Sequence, residues 1–357
     1  MQTIKVLALT RYGTLGASSR MRTYQYLPFL ATEGIEVEVK SFFDDENLSK
    51  KYLTNKYQLK DVLKNYYKRI LTLYGSKQFD LILIEKEALP WLPAFLELEL
   101  LKDIPYILDY DDAWFHNYDM HRLKLVRRLL GSRLDKLMAK ATLVIAGNHY
   151  LAQRAKLAEA LWVEILPTVI DLERYPQKNP KTKPEIVTIV WIGSPSTVKY
   201  LETIKEPLQQ LAKKIEYRLR VIRAEFNLPD VQVECLPWSE ATEVENIANA
   251  DIGIMPLVDS PWEQGKCGYK LIQYMACSLP VIASPIGVNN EIVEDGINGY
   301  LANNALQWLE QLESLLLDAN LRQQMGLKGR EKVEQNYSLQ VTAPKLAILL
   351  KEAALGN

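Results

Sequence analysis

Residues 256–299 read PLVDSPWEQGKCGYKLIQYMACSLPVIASPIGVNNEIVEDGING. A loop rich in Gly and Pro, Ser260 to Gly268, runs into an apolar helical pattern at Tyr269 to Cys277, and a buried-strand pattern follows at Pro280 to Ser284. A loop that feeds a helix offers unpaired backbone N–H groups at the positive end of the helix dipole, which suits a phosphate, and Lys266 and Lys270 add two positive charges there. The Ser284 to Asn290 turn then carries Gly287 and Val288 past the end of the strand and is followed by the carboxylate of Glu291. Ligands of open α/β sheets bind at such strand ends, so the stretch reads as a nucleotide site.

Working outward, the same alternation of strand and helix fills the chain. In the second half, IVTIVWIGSPSTVKYLETI, YRLRVIRAEFN and VQVECLPWSEATEVENIANADIGIMPL each open on a short apolar run. In the first half, IKVLALT (Ile4 to Thr10), IEVEVKSFF (Ile35 to Phe43), FDLILI, IPYILDY and TLVIA do the same. The pattern predicts an α/β fold of two doubly wound Rossmann-like domains facing one another across a cleft, with the polar KNPKTKPE segment as a boundary loop. The expected limits are 1–168 and 169–337, with a terminal helix over 338–357.

The 357 residues and a hydrophobic share of 48% allow each domain its own core. No run of about 18 apolar residues occurs and the first strand starts at Ile4, so neither a membrane span nor a signal peptide is read and a cytoplasmic protein is expected. Cys235, Cys267 and Cys277 are scattered, and His116, His121 and His149 have no zinc-ligand spacing with them, which points to free thiols and no structural metal. Net charge is −1, yet 24 Lys and Arg stand against 20 Asp and Glu up to Pro167, and 19 against 24 after it.

That basic excess gathers in two stretches. From Asn47 to Lys77 lysines alternate with Tyr52, Tyr57, Tyr66, Tyr67 and Tyr74, and Leu123 to Lys140 is a second basic amphipathic run. Each reads either as a solvated helix face or as a surface for anionic lipid. The turn after the first strand, RYGTLGASSRMR, places Gly13, Gly16, Ser18, Ser19, Arg20 and Arg22 at a helix start, where they suit an anion or sugar hydroxyls; its spacing is not that of a dinucleotide fingerprint. Glu85, Lys86 and Glu87 end one strand and Asp109, Asp111 and Asp112 end the next. Three carboxylates at a strand end point to function over packing, because a buried unpaired charge is costly.

The run YMACSLPV resembles the A-M-A-C-G-x-P-V run of glycosyltransferase family 4, retaining enzymes of the GT-B fold. The family's two signature Glu fall at Gly265 and Gln273, so this chain lacks both; Gln273 keeps an amide for ribose hydroxyls. Where the family has G-R-x-x-x-x-K on the donor diphosphate, this chain has Gly193, Ser194 and Lys199, with Lys266 or Lys270 as substitute for the missing Arg. The resemblance implies that Trp238 lies beside the base, that Gly287, Val288 and Glu291 line the sugar pocket, and that Gly13, Gly16, Ser18, Ser19, Arg20 and Glu87 serve acceptor or phosphate. Asp111, in the place of a family His, and Asp112 would act at the transferred sugar, and Lys199 and Lys270 at the leaving diphosphate. The terminal helix would return toward the N-terminal domain.

The expected activity is retaining transfer of a sugar from a UDP- or GDP-sugar to a hydroxyl acceptor, glycan or lipid-linked, in polysaccharide or glycolipid synthesis. No cofactor and no metal are expected. Asp109-x-Asp111 matches the metal-binding D-x-D of the GT-A fold, but every other feature favours GT-B. No nucleic-acid partner is expected, and the basic helices place the protein in the cytoplasm or on the inner face of the membrane. Two rivals stand beside this reading: an inactive sugar-nucleotide-binding relative acting as an assembly partner, and a nucleotide-sugar epimerase of the GT-B type.

Overall fold

The central apolar runs form strands whose β-branched and aliphatic side chains are covered on both faces, while the runs at the sheet edges stay partly exposed. The computed structural model describes residues 3–54, 56–176 and 186–356; KNPKTKPE lies outside them. By its contacts the chain divides into two compact units. The first holds Met1–Thr168, Gly265–Cys267 and Thr342–Asn357, and the second Val169–Gln264 and Gly268–Val341.

The first unit contains β1 (Ile4–Tyr12), β2 (Ile35–Phe43), β3 (Leu81–Glu85), β4 (Tyr106–Tyr110), β5 (Leu143–Ala146) and β6 (Val163–Ile165), all parallel, in the order β2-β1-β3-β4-β5-β6. The order reverses between β1 and β3, which opens a crevice at their C-terminal ends. Leu7, Leu9, Ile82, Ile84, Leu108 and Val144 share one core. The basic aromatic region forms two helices, Asp45–Thr54 and Leu59–Tyr74. From the second, Arg69 caps the carbonyls of Thr10 and Lys40 at 2.9 and 3.0 Å. Burial of that guanidinium lowers its pKa to about 10, although Glu97 and Glu85 oppose the shift. The second basic run breaks at Gly131 into helices Lys124–Leu130 and Arg133–Met138; the first of these buries no residue.

Within the helix Leu339–Leu355, the residues from Thr342 onward belong to this unit, with Leu346, Ala347, Leu350 and Ala353 buried. Thr342 Oγ1 lies 3.1 Å from Tyr26 Oη, and Lys351 donates to Glu33 at 2.8 Å.

The second unit contains β7 (Val187–Ile192), β8 (Tyr217–Ile222), β9 (Gln232–Leu236), β10 (Ile252–Met255), β11 (Val281–Ala283) and β12 (Gly299–Leu301), again all parallel, ordered β12-β11-β10-β7-β8-β9. Alternate residues of one strand serve two cores: Val190 and Ile192 pack with Met255 and Val281, while Ile189 and Trp191 pack with Ile254 and Ile282. The order reverses between β7 and β10, where Gly193 and Pro256 begin the following loops. Both units are therefore doubly wound and Rossmann-like.

Candidate active site

At the β1/β3 crevice of the first unit, charged groups stand closer than their burial would allow without mutual pairing. Lys86 follows β3 with φ of 65°, a left-handed turn, and its N–H bonds Asp109 O at 2.9 Å. The turn brings Lys86 Nζ to 2.9 Å from Asp111 Oδ1 and 3.8 Å from Glu85 Oε1, and it donates to Ser18 Oγ at 3.1 Å. The same Ser18 Oγ lies 2.5 Å from Asp111 Oδ2 and 2.8 Å from Glu85 Oε1. A hydroxyl has one proton, so Ser18 donates to one of these carboxylates while accepting from Lys86. Ser19 Oγ donates to Glu85 Oε2 at 2.5 Å and the Arg11 N–H donates to it at 3.0 Å.

Burial by itself would raise the Asp111 pKa; the Lys86 charge and the Ser18 hydroxyl more than reverse this and hold it below the usual carboxylate range. For Lys86, burial lowers the pKa, but Asp111 and Glu85 carry it above the normal lysine value. One helical turn on, Arg22 pairs bidentately with Asp109 and also donates to Leu166 O at 2.8 Å.

Glu87 sits below this cluster, 5% exposed, accepting from Trp114 Nε1 and Tyr118 Oη at 2.7 Å each and from Arg133 at 2.5 Å. Arg133 bridges on to Glu97 at 2.5 Å. Gly13 and Gly16 frame a loop whose anion position is occupied from within: Asp45 accepts from the Leu15 N–H at 2.9 Å and from Thr14 Oγ1 at 2.8 Å, and a Cβ at Gly13 would lie 2.3 Å from Asp45 Oδ1. Arg20 reaches Thr14 O at 3.2 Å from the helix Ala17–Arg22.

Residues Gly265–Cys267 belong to this unit as well. Lys266 lies 3.8 Å from Asp112 and its carbonyl accepts from Asn148 at 2.9 Å; Cys267 donates to Asp111 O at 3.0 Å, its thiol pKa raised by burial. A Cβ on Gly265 would fall 2.5 Å from Ala113 Cβ and 2.7 Å from Ala113 N. A side chain at this position therefore needs Ala113 and its backbone to shift.

In the second unit, Gly193 and Ser194 follow β7, Trp238 follows β9, and Gly287 and Val288 follow β11, so all lie past C-terminal strand ends. Ser194 Oγ lies 2.8 Å from Ser196 Oγ, and Lys199 Nζ sits 5.4 Å from the Tyr200 ring. Lys270 Nζ stands 4.5 Å over the ring of Trp191, against which Gly193 also packs, so Lys270 and Gly193 share one neighbour. The helix Tyr269–Ala276 begins after Gly268, φ 65°, a residue with no side chain to cap the first turn. Trp238 donates to Glu243 at 2.5 Å, with Arg223 4.9 Å from its ring. Glu291 is exposed on a short helix, Asn289–Ile292. Gln273 is 2% exposed and its amide donates to Tyr175 Oη at 3.0 Å, directed into the core. The sequence places Glu85 and Lys86 at a strand end without giving either a role at the site, and it gives no signal for Tyr175.

Among the described residues no helix is long and apolar enough to cross a membrane, and no group of three or more His, Cys, Asp or Glu side chains is placed to hold a metal ion.

Residues 186–318, which lie in the second unit apart from Gly265–Cys267, match the family model described as Glycosyl transferases group 1. Alpha-maltose-1-phosphate synthase of Mycolicibacterium smegmatis is 27% identical over 163 residues, 43% of this chain and 38% of that protein. The matched stretches span between 19% and 38% of the curated relatives' lengths. Sucrose-phosphate synthase from Thermosynechococcus elongatus superposes with a TM-score of 0.74 at 14% identity, over 99% of this chain and 100% of that one. Anabaena HepE in complex with UDP superposes at 0.70 and 16% identity, over 98% and 100%. The chain has the GT-B fold of glycosyltransferases, and its second unit carries the match to glycosyl transferases group 1.

Proposed function

We propose that the protein is a retaining, metal-independent glycosyltransferase that moves a sugar from a UDP- or GDP-sugar to a hydroxyl of a glycan or lipid-linked acceptor. The observation that carries this reading is the family match over residues 186–318, which covers the helix start at Tyr269, Lys270 and the glycine loop after β7. Neighbours of the same fold bind UDP and UDP-glucose, which supports a nucleotide-sugar donor. In this reading Lys199, Lys270 and the helix N–H groups stabilise the leaving diphosphate by preorganised positive charge. Gly193 and Ser194 let it approach the backbone, Trp238 accompanies the base, and Gly287, Val288 and Glu291 bind the sugar. Asp111 and Asp112 supply negative charge for the cationic anomeric carbon, and Lys266 orients Asp112. Ser18, Ser19, Arg20 and the Gly13–Gly16 loop serve the acceptor side, while Glu87 holds Trp114 and Arg11 in place.

The domain limits 1–168, 169–337 and 338–357 are part of the same proposal. So is peripheral attachment to the cytoplasmic membrane face in polysaccharide or glycolipid synthesis, supported by exposed Leu59, Leu63, Tyr67, Leu71 and Tyr74 beside Lys60, Lys64 and Lys68 on one helix.

The experiment is incubation with UDP- and GDP-sugars, reading released diphosphate and the anomeric form of the product. Turnover above a Lys270→Ala control, with retained configuration, supports the reading. One structural fact favours a second reading, a sugar-nucleotide-binding relative without transfer: Gln273 is bonded to Tyr175 and Gly265 is closed by Ala113, so neither signature carboxylate has a replacement at its own position. Nucleotide binding with no turnover would select it.

A further inference from the structure

We propose that Lys86 is a positioning residue that holds the Asp111 carboxylate ionised and aimed, and thereby sets the acid limb of the pH profile for sugar transfer. The inference rests on the reading that Asp111 acts at the transferred sugar.

Three observations carry it. Lys86 is 3% exposed and non-glycine, yet takes a left-handed backbone that such a residue rarely adopts, which places its ammonium between two carboxylates. Asp111 and Glu85 both contact the single hydroxyl of Ser18 at 2.5 and 2.8 Å. Lys86 Nζ reaches both the carboxylate and that shared hydroxyl, 2.9 Å from Asp111 Oδ1 and 3.1 Å from Ser18 Oγ.

The other charged and titratable groups around Asp111 have partners of their own. Arg22, on the helix Ala17–Arg22, is paired with Asp109. Lys266 is directed to Asp112 at 3.8 Å, and the Cys267 thiol donates to the Asp111 carbonyl rather than to its carboxylate. Arg11 lies 3.6 Å from Glu87. Remove the Lys86 charge, and Asp111 and Glu85 become two buried like charges across one hydroxyl. Such a pair takes up a proton, and the pair rather than either residue titrates. A protonated Asp111 offers no negative charge to a cationic anomeric carbon.

The sign follows. Asp111 is held low in the folded protein, so its contribution to stability is present above the unfolded carboxylate pKa and lost on acidification through the folded value. Without Lys86 the burden reverses, and destabilisation grows as pH rises.

The test measures thermal unfolding and donor turnover of wild type, Lys86→Met, Asp111→Asn and the double variant from about pH 3 to about pH 8, with UDP affinity as a control. The expected result is a Tm loss in K86M that is larger at the alkaline end and mostly recovered by adding D111N. The acid limb of kcat/KM should move up by about one pH unit in K86M, about tenfold less activity on that limb, with UDP affinity within about twofold of wild type. An equal Tm loss at every pH that D111N does not relieve overturns the proposal and makes Lys86 a packing residue. An unmoved acid limb overturns it as well. If K86M does not fold, Lys86→Gln takes its place. If wild type moves no sugar, the functional reading fails, while the double-variant melts still decide whether Lys86 holds Asp111.

Discussion

At the scale of single residues, the charges at the β1/β3 crevice of the first unit are fixed by pairing with one another. Arg22 and Asp109 form a buried bidentate pair, so Arg22→Ala leaves an uncompensated carboxylate and should cost about 3–5 kcal/mol in urea unfolding. A loss below about 1 kcal/mol would show that water reaches Asp109. Gly265 tests the packing side of the same region. Its Cβ position overlaps Ala113, so Gly265→Ala should destabilise by about 1–3 kcal/mol, and Gly265→Glu should lower the melting point further. A Gly265→Glu variant with wild-type stability would show that Ala113 gives way at that position. Of these details the sequence shows only residue types. That Gly265 faces Ala113, that Gln273 bonds Tyr175, and that Lys86 turns back toward Asp111 all depend on contacts between residues tens to more than a hundred positions apart, or on a left-handed lysine that no propensity anticipates.

At the scale of elements, strands were legible and helix breaks were not. IKVLALT and VIA are strands because a parallel sheet buries both faces and an apolar run between turn residues has few other ways to be covered, while IEVEVKSFF, at the sheet edge, alternates apolar residues with exposed Glu36, Glu38 and Lys40. The Leu123 to Lys140 run reads as one amphipathic stretch, yet Gly131 divides it, leaving Leu125 and Leu129 exposed while Leu134, Leu137 and Met138 enter the core. On the helix Leu59–Tyr74, at about 100° per residue, Leu59, Leu63, Tyr67, Leu71 and Tyr74 form an exposed arc apart from buried Asn65, Arg69 and Leu73, with Lys60, Lys64 and Lys68 alongside. Apolar residues flanked by lysines suit an anionic lipid surface. Leu63→Glu with Tyr67→Glu should therefore abolish sedimentation with phosphatidylglycerol vesicles at low salt and leave the melting point unchanged. Equal vesicle binding by variant and wild type would remove that helix from the membrane proposal.

At the scale of the whole molecule, two sheets with reversed strand order each provide one crevice, and the residues of interest gather past the strand ends beside them. The second crevice was predictable from residues 256–299 because the loop, helix and strand are contiguous there. The first was only partly so, since Ser18, Lys86 and Asp111 come from three separate segments. The C-terminal segment is integral to the first unit: removing residues after Val341 exposes partners of Leu346, Ala347, Leu350 and Ala353. With about 1.5–3 kcal/mol for each large aliphatic residue against a total of about 5–15 kcal/mol, the truncated chain should lose cooperative unfolding of that unit by circular dichroism. An intact two-step melt would show the segment to be dispensable.

The account stands most directly on nucleotide binding by the second unit. The measurement is the thermal shift of wild type, Lys199→Ala and Lys270→Ala with UDP, GDP and ADP and their sugars, with and without magnesium. A ligand that binds only the folded form raises the melting point with its affinity and concentration. The account predicts that UDP or GDP stabilises wild type without magnesium and that the shift is lost in either lysine variant. Stabilisation by none of them, or stabilisation that requires magnesium and survives both substitutions, would contradict it.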